Sequence, residues 1–584
     1  VTRSRSLLLV VCLAGAATAA AETYPVRVER GVRAKMRDGV FLVADVYRPD
    51  SSGRFPTLLQ RTPYDRKGGG GQAHDLAASG YVVVHQDTRG RFDSEGEFYP
   101  FRHEMDDGHD SVEWAASLPY SNGRVGMFGG SYVGATQMLA AAAKPPHLAS
   151  IFPYITASEY YEGWTYQGGA LMRWFASSWA SGLAIDTLRR KASAKLQPRE
   201  WVRREPIEAY PLFEPPAASE VAPYFRDWIT HETDDEYWRK VNVKDRYADM
   251  TVTALHAGGW HDIFSRGSIE NYLGLRARAA TNEARAGQRL LMGPWAHAGT
   301  SPEGKIGDVV FGKQAVLDMT GAIRDWFDYA LRGIANDHAT KPPVRIFVMG
   351  QNAWRHESQF PPASAVDTRY YLEAAAKGEA PSGKHGALSA KPPSGREGST
   401  SFDYDPADPV PTLGGRLCCG AALQPGPTDQ RPNETRSDVL VFSTPPLERD
   451  VEVTGFVTLE LHAATSAPDT DFTAMLVDVG PDGYARYLAD GIVRARYRRS
   501  TARAEPTVPG QAYRYAIDLG ATSNVFKAGH RIRLYVSSSN FPRFDRNDNT
   551  GELSAGATRM VKATQTVFHD RARPSALVLP VVRR

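Results

Sequence analysis

Cysteine is scarce in this chain: 584 residues contain three, Cys12, Cys418 and Cys419. That excludes a disulfide framework, so the fold must be held by packing. Cys418 and Cys419 are adjacent, with Cα atoms about 3.8 Å apart across a trans peptide. The usual disulfide span is about 4.4–6.8 Å, so a vicinal disulfide and a free pair both stay open. An excess of one charge is also missing. The 69 basic and 66 acidic residues leave a net +3, which gives no electrostatic footprint for nucleic acid or a membrane surface. Long apolar runs are absent apart from residues 7–17, and that run falls short of the roughly 20 residues a spanning helix needs. No internal repeat is present.

The apolar run follows Arg3 and Arg5 and ends in Ala17-Thr-Ala19 and Ala19-Ala-Ala21. This is the pattern of a cleavable secretory signal over residues 1–21. Cys12 lies mid-run behind Val10 and Val11 rather than after small residues, which argues against a lipid anchor. The expected product is exported, periplasmic or extracellular, without stable membrane anchoring. Loss of Arg3 and Arg5 leaves 67 basic against 66 acidic residues.

What is present is a 42% hydrophobic fraction, which at this length supports two or three domains with substantial cores. From residue 24, strand patterns at 41–47, 57–60, 81–86 and 125–128 alternate with helical patterns at 110–118 and 132–144. That order predicts crossover units on a mostly parallel sheet. Residues 158–247 break the rhythm, with Trp, Tyr and Met at helical spacing and prolines at Pro206, Pro211, Pro215 and Pro216. They read as a helical insertion. Strand patterns resume at 252–256 and 289–292, and a helix pattern follows at 322–332. Beyond Pro342-Pro343 come short alternating strands at 370–372, 439–442, 456–462, 472–477, 513–519, 532–536 and 576–582. These predict a β-sandwich, with a jelly roll as one candidate. The stretch 374–401, rich in Gly, Ser, Pro and Lys, reads as a surface excursion. The fold class is therefore α/β, with one domain over 22–157 and 248–340, an insertion at 158–247 and a sandwich at 341–584.

Ser131 lies in Arg124-Val-Gly-Met-Phe-Gly-Gly-Ser-Tyr-Val-Gly134, where a short strand meets a Gly-flanked serine and a helix begins at once. A turn this sharp displays a serine at the strand's C-terminal end. The five-residue elbow is imperfect, because Val133 stands where its second glycine belongs. A serine nucleophile needs a base, and the base needs an acid to fix its tautomer. In hydrolases built on a parallel sheet the chain order is Ser, acid, His. Asp262 follows the 252–256 strand in Gly259-Trp-His-Asp262, and His297 follows the 289–292 strand in Gly293-Pro-Trp-Ala-His297. His261 is the rival base, but an imidazole adjacent in sequence to its own orienting acid points elsewhere.

These residues resemble the cocaine esterase-like serine hydrolases, a family related to α-amino-acid ester hydrolases and X-Pro dipeptidyl peptidases. The resemblance covers nearly the whole chain after residue 21. It rests on Arg61-Thr-Pro-Tyr-Asp65, Gln86-Asp-Thr-Arg-Gly-Arg-Phe-Asp-Ser-Glu-Gly96, Gly130-Ser-Tyr-Val-Gly134, Gly259-Trp-His-Asp262, Gly293-Pro-Trp-Ala-His297 and Ser537-Ser-Ser-Asn-Phe-Pro-Arg-Phe-Asp-Arg546. It implies an α/β-hydrolase domain, an inserted helical cap and a C-terminal jelly roll. It also implies a triad of Ser131, Asp262 and His297, and an oxyanion hole made by the Tyr64 phenol and the Tyr132 backbone N–H.

Other features carry less. His103-Glu-Met-Asp-Asp-Gly-His-Asp110 has metal-ligand residue types, but such groups at a helix start also act as caps. No metal or cofactor is expected. Gly68 to Gly71 lacks the Lys and Ser or Thr of a phosphate loop. Asp87 and Arg89 are expected to brace the loop around the nucleophile. Trp164, Trp174, Trp179 and Phe264 are candidates for an aromatic acyl pocket, although aromatics at helical spacing also build ordinary cores. Relatives acting on α-amino acyl groups need carboxylates to pair with the substrate ammonium. Val133 puts no acid beside the elbow, whereas Asp234, Asp235 and Glu236 could approach it on folding. The expected activity is hydrolysis of small-molecule carboxylic esters or amides through an acyl-enzyme on Ser131. The alternatives are an X-Pro dipeptidyl peptidase, an α-amino-acid ester hydrolase resembling a β-lactam acylase and, outside the hydrolases, a noncatalytic binding protein.

Overall fold

A run such as Val82-Val-Val-His-Gln-Asp87 is apolar without alternation, which suits an interior strand covered on both faces. In the computed structural model, which describes residues 23–190, 221–374, 385–396, 398–420, 422–552 and 559–583, it lies inside a ten-stranded sheet. The expected signal at 1–21 and the prolines Pro206, Pro211, Pro215 and Pro216 lie outside the described residues. In chain order the strands are β1 (Val26–Lys35), β2 (Phe41–Pro49), β3 (Phe55–Thr62), β4 (Val82–Asp87), β5 (Ser121–Gly130), β6 (Leu148–Tyr154), β7 (Thr253–Gly259), β8 (Gln288–Gly293), β9 (Val344–Val348) and β10 (Ala353–Glu357). Their spatial order is β1-β2-β4-β3-β5-β6-β7-β8-β9-β10. Pairing is parallel from β4 across to β9, and antiparallel at β1-β2, β2-β4 and β9-β10.

The sheet extends past the boundary expected at residue 340. Pro342-Pro343 marks a break in composition, but proline is tolerated at the start of a strand. Val344 to Ile346 then pair with Leu290 to Met292 of β8.

Three helices pack against the first six strands of the sheet: α1 (Gly70–Ala78), α2 (Glu104–Ala116) and α3 (Tyr132–Ala142). Every residue of α3 is buried, which is why its sequence is apolar and Ala-rich all round. A Cβ on Gly108 would lie 2.7 Å from the Ala140 Cβ, so small residues on both helices let α2 and α3 pack closely. Helix α2 begins at Glu104 rather than at 110, because Glu104, Asp106 and Asp107 in its first turn suit the positive end of a helix. Between β6 and β7 the described residues are mainly helical, with α4 (Arg173–Arg190) and α5 (Pro223–Thr230). One short hairpin, Tyr166–Gln167 with Ala170–Leu171, precedes α4.

The C-terminal part is β-rich and built around an eleven-stranded sheet. Each expected strand there overlaps an observed one, while Ser399–Tyr404, Ala485–Arg494 and Ala563–Phe568 are additional. The excursion expected at 374–401 is corrected in its middle: His385–Ser389 is a strand between Ala365–Ala374 and Leu440–Ser443. Residues 375–384 and 397 lie outside the described residues. One hydrophobic core runs through both sheets, joining Phe128, Trp260 and Trp326 to Leu459 and Leu534. Trp260 also donates to the Phe347 carbonyl at 2.7 Å.

Two core histidines give the fold a pH dependence. Burial lowers His85 to about 4, against a weak contact with the Arg66 carbonyl; burial likewise lowers His256 to about 4 despite Gln288 at 2.9 Å. The unfolded chain therefore binds more protons between pH 4 and 6.5, and stability rises with pH across that window. Each histidine should contribute up to about 3 kcal/mol that is lost on acidification. Chemical unfolding at pH 7, 6, 5 and 4 should show a falling midpoint; a flat midpoint over that range would refute this.

Candidate active site

In an open parallel sheet, ligands bind outside the carboxyl ends of the strands. Four of the sequence-predicted residues lie there. Tyr64 comes just after β3, Ser131 directly after β5, Asp262 after β7 and His297 after β8. β7 and β8 finish level, with Gly259 paired to Gly293.

Ser131 has φ 61° and ψ −128°, in a region that costs a non-glycine residue about 1–3 kcal/mol. Its surroundings hold it there. Its N–H donates to the Tyr154 carbonyl at 3.0 Å, and its own carbonyl accepts from Gly134 at 2.9 Å and Ala135 at 3.0 Å. A Cβ on Gly130 would come within 2.2 Å of the Tyr154 ring, and one on Gly134 within 2.7 Å of the Thr156 Cβ. The displaced glycine is thus required where α3 meets Thr156, and Val133 is accommodated because Gly129 has no side chain to meet it.

His297 Nε2 lies 3.1 Å from Ser131 Oγ, and its Nδ1 lies 2.7 Å from Asp262 Oδ2. Asp262 is fully buried, and its other oxygen accepts from the Phe264 N–H at 2.6 Å. A carboxylate on Nδ1 keeps the proton there and leaves the Nε2 lone pair facing the serine. The rival base is elsewhere. His261 is fully buried with neither ring nitrogen hydrogen-bonded; burial, then Arg416 and Arg486, push its pKa well below the ordinary value.

The Tyr132 N–H is the first of α3, where backbone donors lack intrahelical acceptors. The Tyr64 hydroxyl accepts from Trp179 Nε1 at 2.9 Å and interacts with the Ser131 side chain and the Tyr132 backbone N–H. Although Tyr64 as a residue is 42% exposed, its oxygen points inward. Burial raises its pKa, outweighing the lowering by Trp179, Ser131, Arg91 and Tyr132, so the phenol stays protonated and able to donate.

Beside these groups is a cavity of about 510 Å³ whose wall includes Tyr64, Arg91, Ser131, Trp179, Asp186, His297 and Cys419. A second, of about 330 Å³, shares His297. A third cavity, about 710 Å³, borders the opposite, starting ends of β8 and β9 and contains none of the four residues. Of the aromatic candidates, Trp179 lines the Ser131 cavity. Trp164 and Phe264 are fully buried and stack on one another at 4.5 Å, with Trp164 edge-on to Trp179 and Phe264 edge-on to His297. They back the wall instead of forming it. Trp174 packs against Gly420.

The wall residues that the sequence did not point to include Asp186, Arg91 and Cys419. Asp186 accepts from the Phe92 N–H at 3.1 Å and lies 3.7 Å from Arg91, which itself donates to the Pro63 and Leu183 carbonyls at 2.9 Å. Trp179, Leu183 and Asp186 fall on one face of α4 at i, i+4 and i+7, a pattern visible in the sequence. The acids proposed for an ammonium are not on this wall: Asp235 caps the helix Glu236–Arg239 and pairs with His231 at 2.6 Å, the Asp234 N–H donates to Thr501, and Glu236 faces solvent beside Lys240.

Behind the elbow is a layer of buried ion pairs. Arg61 binds Glu104 at 2.7 Å, and Glu104 accepts from the Tyr132 hydroxyl at 2.9 Å. Arg89 binds Asp107 and Asp38, and Arg66 binds Asp87, so these residues brace the loop after β4 and not, as expected, the turn that carries Ser131. Asp110 pairs with Arg37, which leaves the acids of the 103–110 segment on arginines. Breaking a buried pair strands a charge and costs about 3–5 kcal/mol. Glu104→Ala should therefore lower the unfolding free energy measured in urea by that amount; an unchanged value would show the pair to be dispensable. Among the described residues, only His297 with Cys418 and Cys419 has the spacing to hold a metal ion.

Residues 38–299 match the X-Pro dipeptidyl-peptidase (S15 family), and residues 336–578 match the X-Pro dipeptidyl-peptidase C-terminal non-catalytic domain. The chain is 38% identical to the cocaine esterase of Rhodococcus sp. (strain MB1 Bresler), over 95% of this chain and 99% of that one. The chain belongs to the cocaine esterase-like family of serine hydrolases. Solved structures share the architecture. An aminopeptidase from the marine sediment archaeon Thaumarchaeota archaeon superposes with a TM-score of 0.80 at 25% identity, covering 98% of this chain and 99% of that one. An α-amino acid ester hydrolase gives 0.79 at 26% identity, covering 99% and 100%. This hydrolase therefore has an α/β-hydrolase-like fold with a C-terminal β-rich domain.

Proposed function

We propose that this hydrolase cleaves carboxylic esters of uncharged acyl groups through an acyl-enzyme on Ser131. The observation that carries the reading is the unbroken relay from Ser131 Oγ to His297 at 3.1 Å and on to Asp262 at 2.7 Å. His297 Nε2 takes the serine proton as Oγ attacks the carbonyl, and returns it to the leaving alcohol. Tyr64 and the Tyr132 N–H hold the oxyanion of the tetrahedral intermediate. Water then attacks the acyl-enzyme with the same base, and the acid leaves.

The cavity wall supports the substrate class. Its carboxylate among the described residues, Asp186, already has the Phe92 N–H and Arg91 close by, which weakens it as a partner for a substrate ammonium. The esterase named among the relatives points the same way. The aminopeptidase and α-amino acid ester hydrolase neighbours support a second reading, in which Asp186 receives a free amine. A panel of p-nitrophenyl esters, Gly-Pro-p-nitroanilide and an ampicillin-like amide separates the two: kcat/KM should be highest on the esters, and a preference for Gly-Pro-p-nitroanilide would transfer the assignment to a dipeptidyl peptidase. In the same reading residues 158–247 form a helical cap and the C-terminal domain is a jelly roll. Residues 1–21 direct export, so N-terminal sequencing of the protein from periplasm or medium should begin at or near residue 22.

A further inference from the structure

Sulfur reaches this site from the C-terminal domain. Cys418 and Cys419 are joined in a disulfide, with Cα atoms 3.8 Å apart. Cys418 is buried, whereas Cys419 is exposed on the wall of the Ser131 cavity. A ring nitrogen of His297 and the two sulfurs all lie within 4.8 Å of one another. The hydrolytic reaction makes no use of sulfur there. The segment is also firmly anchored: Arg416 donates to the carbonyls of Trp260, Leu519 and Ala521 at 3.2, 2.6 and 2.8 Å, and Gly420 packs against the Trp174 ring.

We propose that the reduced pair, together with His297, forms a three-ligand site for a soft divalent metal such as zinc or cadmium, and that metal binding switches hydrolysis off. A phosphine reductant and one water open the S–S bond, giving two thiols and the phosphine oxide. The metal then displaces the two thiol protons and binds both thiolates. Zn–S bonds of about 2.3 Å and Zn–N bonds of about 2.0–2.1 Å place the two sulfurs and one nitrogen of a tetrahedral ion about 3.5–3.8 Å apart, inside the 4.8 Å that encloses the three atoms, with the sulfurs free to separate to that distance once their bond is open. His297 Nδ1 is held by Asp262, so the metal's nitrogen is Nε2, the atom that faces Ser131. Metal-binding histidines commonly carry just such a carboxylate on the other nitrogen. Once Nε2 is on the metal, its lone pair is no longer available to Ser131. In the disulfide state there is no thiolate to bind, so metal sensitivity follows the redox state of the pair. The inhibition rests on His297 being the base of the proposed hydrolysis, whereas the binding does not.

The test uses the full chain, reduced with a phosphine, exchanged into metal-free buffer and titrated with Cd²⁺. Cadmium–thiolate absorbance should rise to a plateau at one equivalent per chain. Ester hydrolysis should fall in step by at least about 100-fold, because the metal takes the lone pair of the base, and return with EDTA. The oxidised protein should show neither effect. In Cys418→Ser/Cys419→Ser the absorbance should vanish, and the rates with and without Cd²⁺ should be equal. The proposal is overturned if the reduced protein takes up no Cd²⁺, if it binds without losing activity, or if the oxidised protein or the double variant is inhibited equally. Were no ester hydrolysed by any form, the absorbance titration would still decide the metal site, and the hydrolase reading would fail separately.

Discussion

Ser131→Ala should lower kcat on a p-nitrophenyl ester by about 10⁶. The magnitude follows from how the three residues depend on one another. His297 has its Nε2 on Ser131 and its Nδ1 on Asp262, so removing the serine leaves the base nothing to activate, and its orientation by the acid then serves no step. His297→Ala should cost about as much as Ser131→Ala, and the double variant scarcely more, because groups that act as a unit do not add. A residual rate above that of water is expected from the oxyanion donors and from binding. Steady-state kinetics on the single and double variants checks this, and multiplicative losses would contradict a shared relay.

Tyr64→Phe should lower kcat by about 10² to 10³ with KM nearly unchanged, the signature of a donor used in the transition state. The phenol is placed for it, in contact with the Ser131 side chain and the Tyr132 N–H. The substitution also removes the acceptor of Trp179 Nε1, and an orphaned buried donor costs about 1–3 kcal/mol of stability. The two roles separate in the measurements: a structural tyrosine would lower the unfolding midpoint and leave kcat intact, whereas the oxyanion role requires the loss in kcat.

Ser131, Asp262 and His297 could be found in the sequence because each lies on a glycine-bearing loop just after a short apolar strand. Such local patterns survive without tertiary information. The strands that were missed lack them. β6 carries Pro153 inside its pattern, which argues against an interior strand, yet it pairs in parallel between β5 and β7. β9 begins directly after Pro342-Pro343, so a change of composition resembled a domain boundary. The aromatic candidates show a different limit. Trp164, Phe264 and Trp179 all lie near the site, but which of them faces the cavity depends on how α4 lies across the sheet ends. Asp186 and Cys419 reach the wall only through tertiary contacts, from α4 and from the C-terminal domain. Val133 is the reverse case: its meaning in the sequence, a misplaced elbow, resolves into close packing at Gly129 and Gly134.

The most direct test of the central claim is covalent labelling of the native protein with a fluorophosphonate probe, followed by peptide mapping. A single adduct on Ser131 is expected, absent from Ser131→Ala and lost when His297 is replaced. Labelling at another serine, or none at all in well-folded protein, would contradict it and would favour a noncatalytic binding protein.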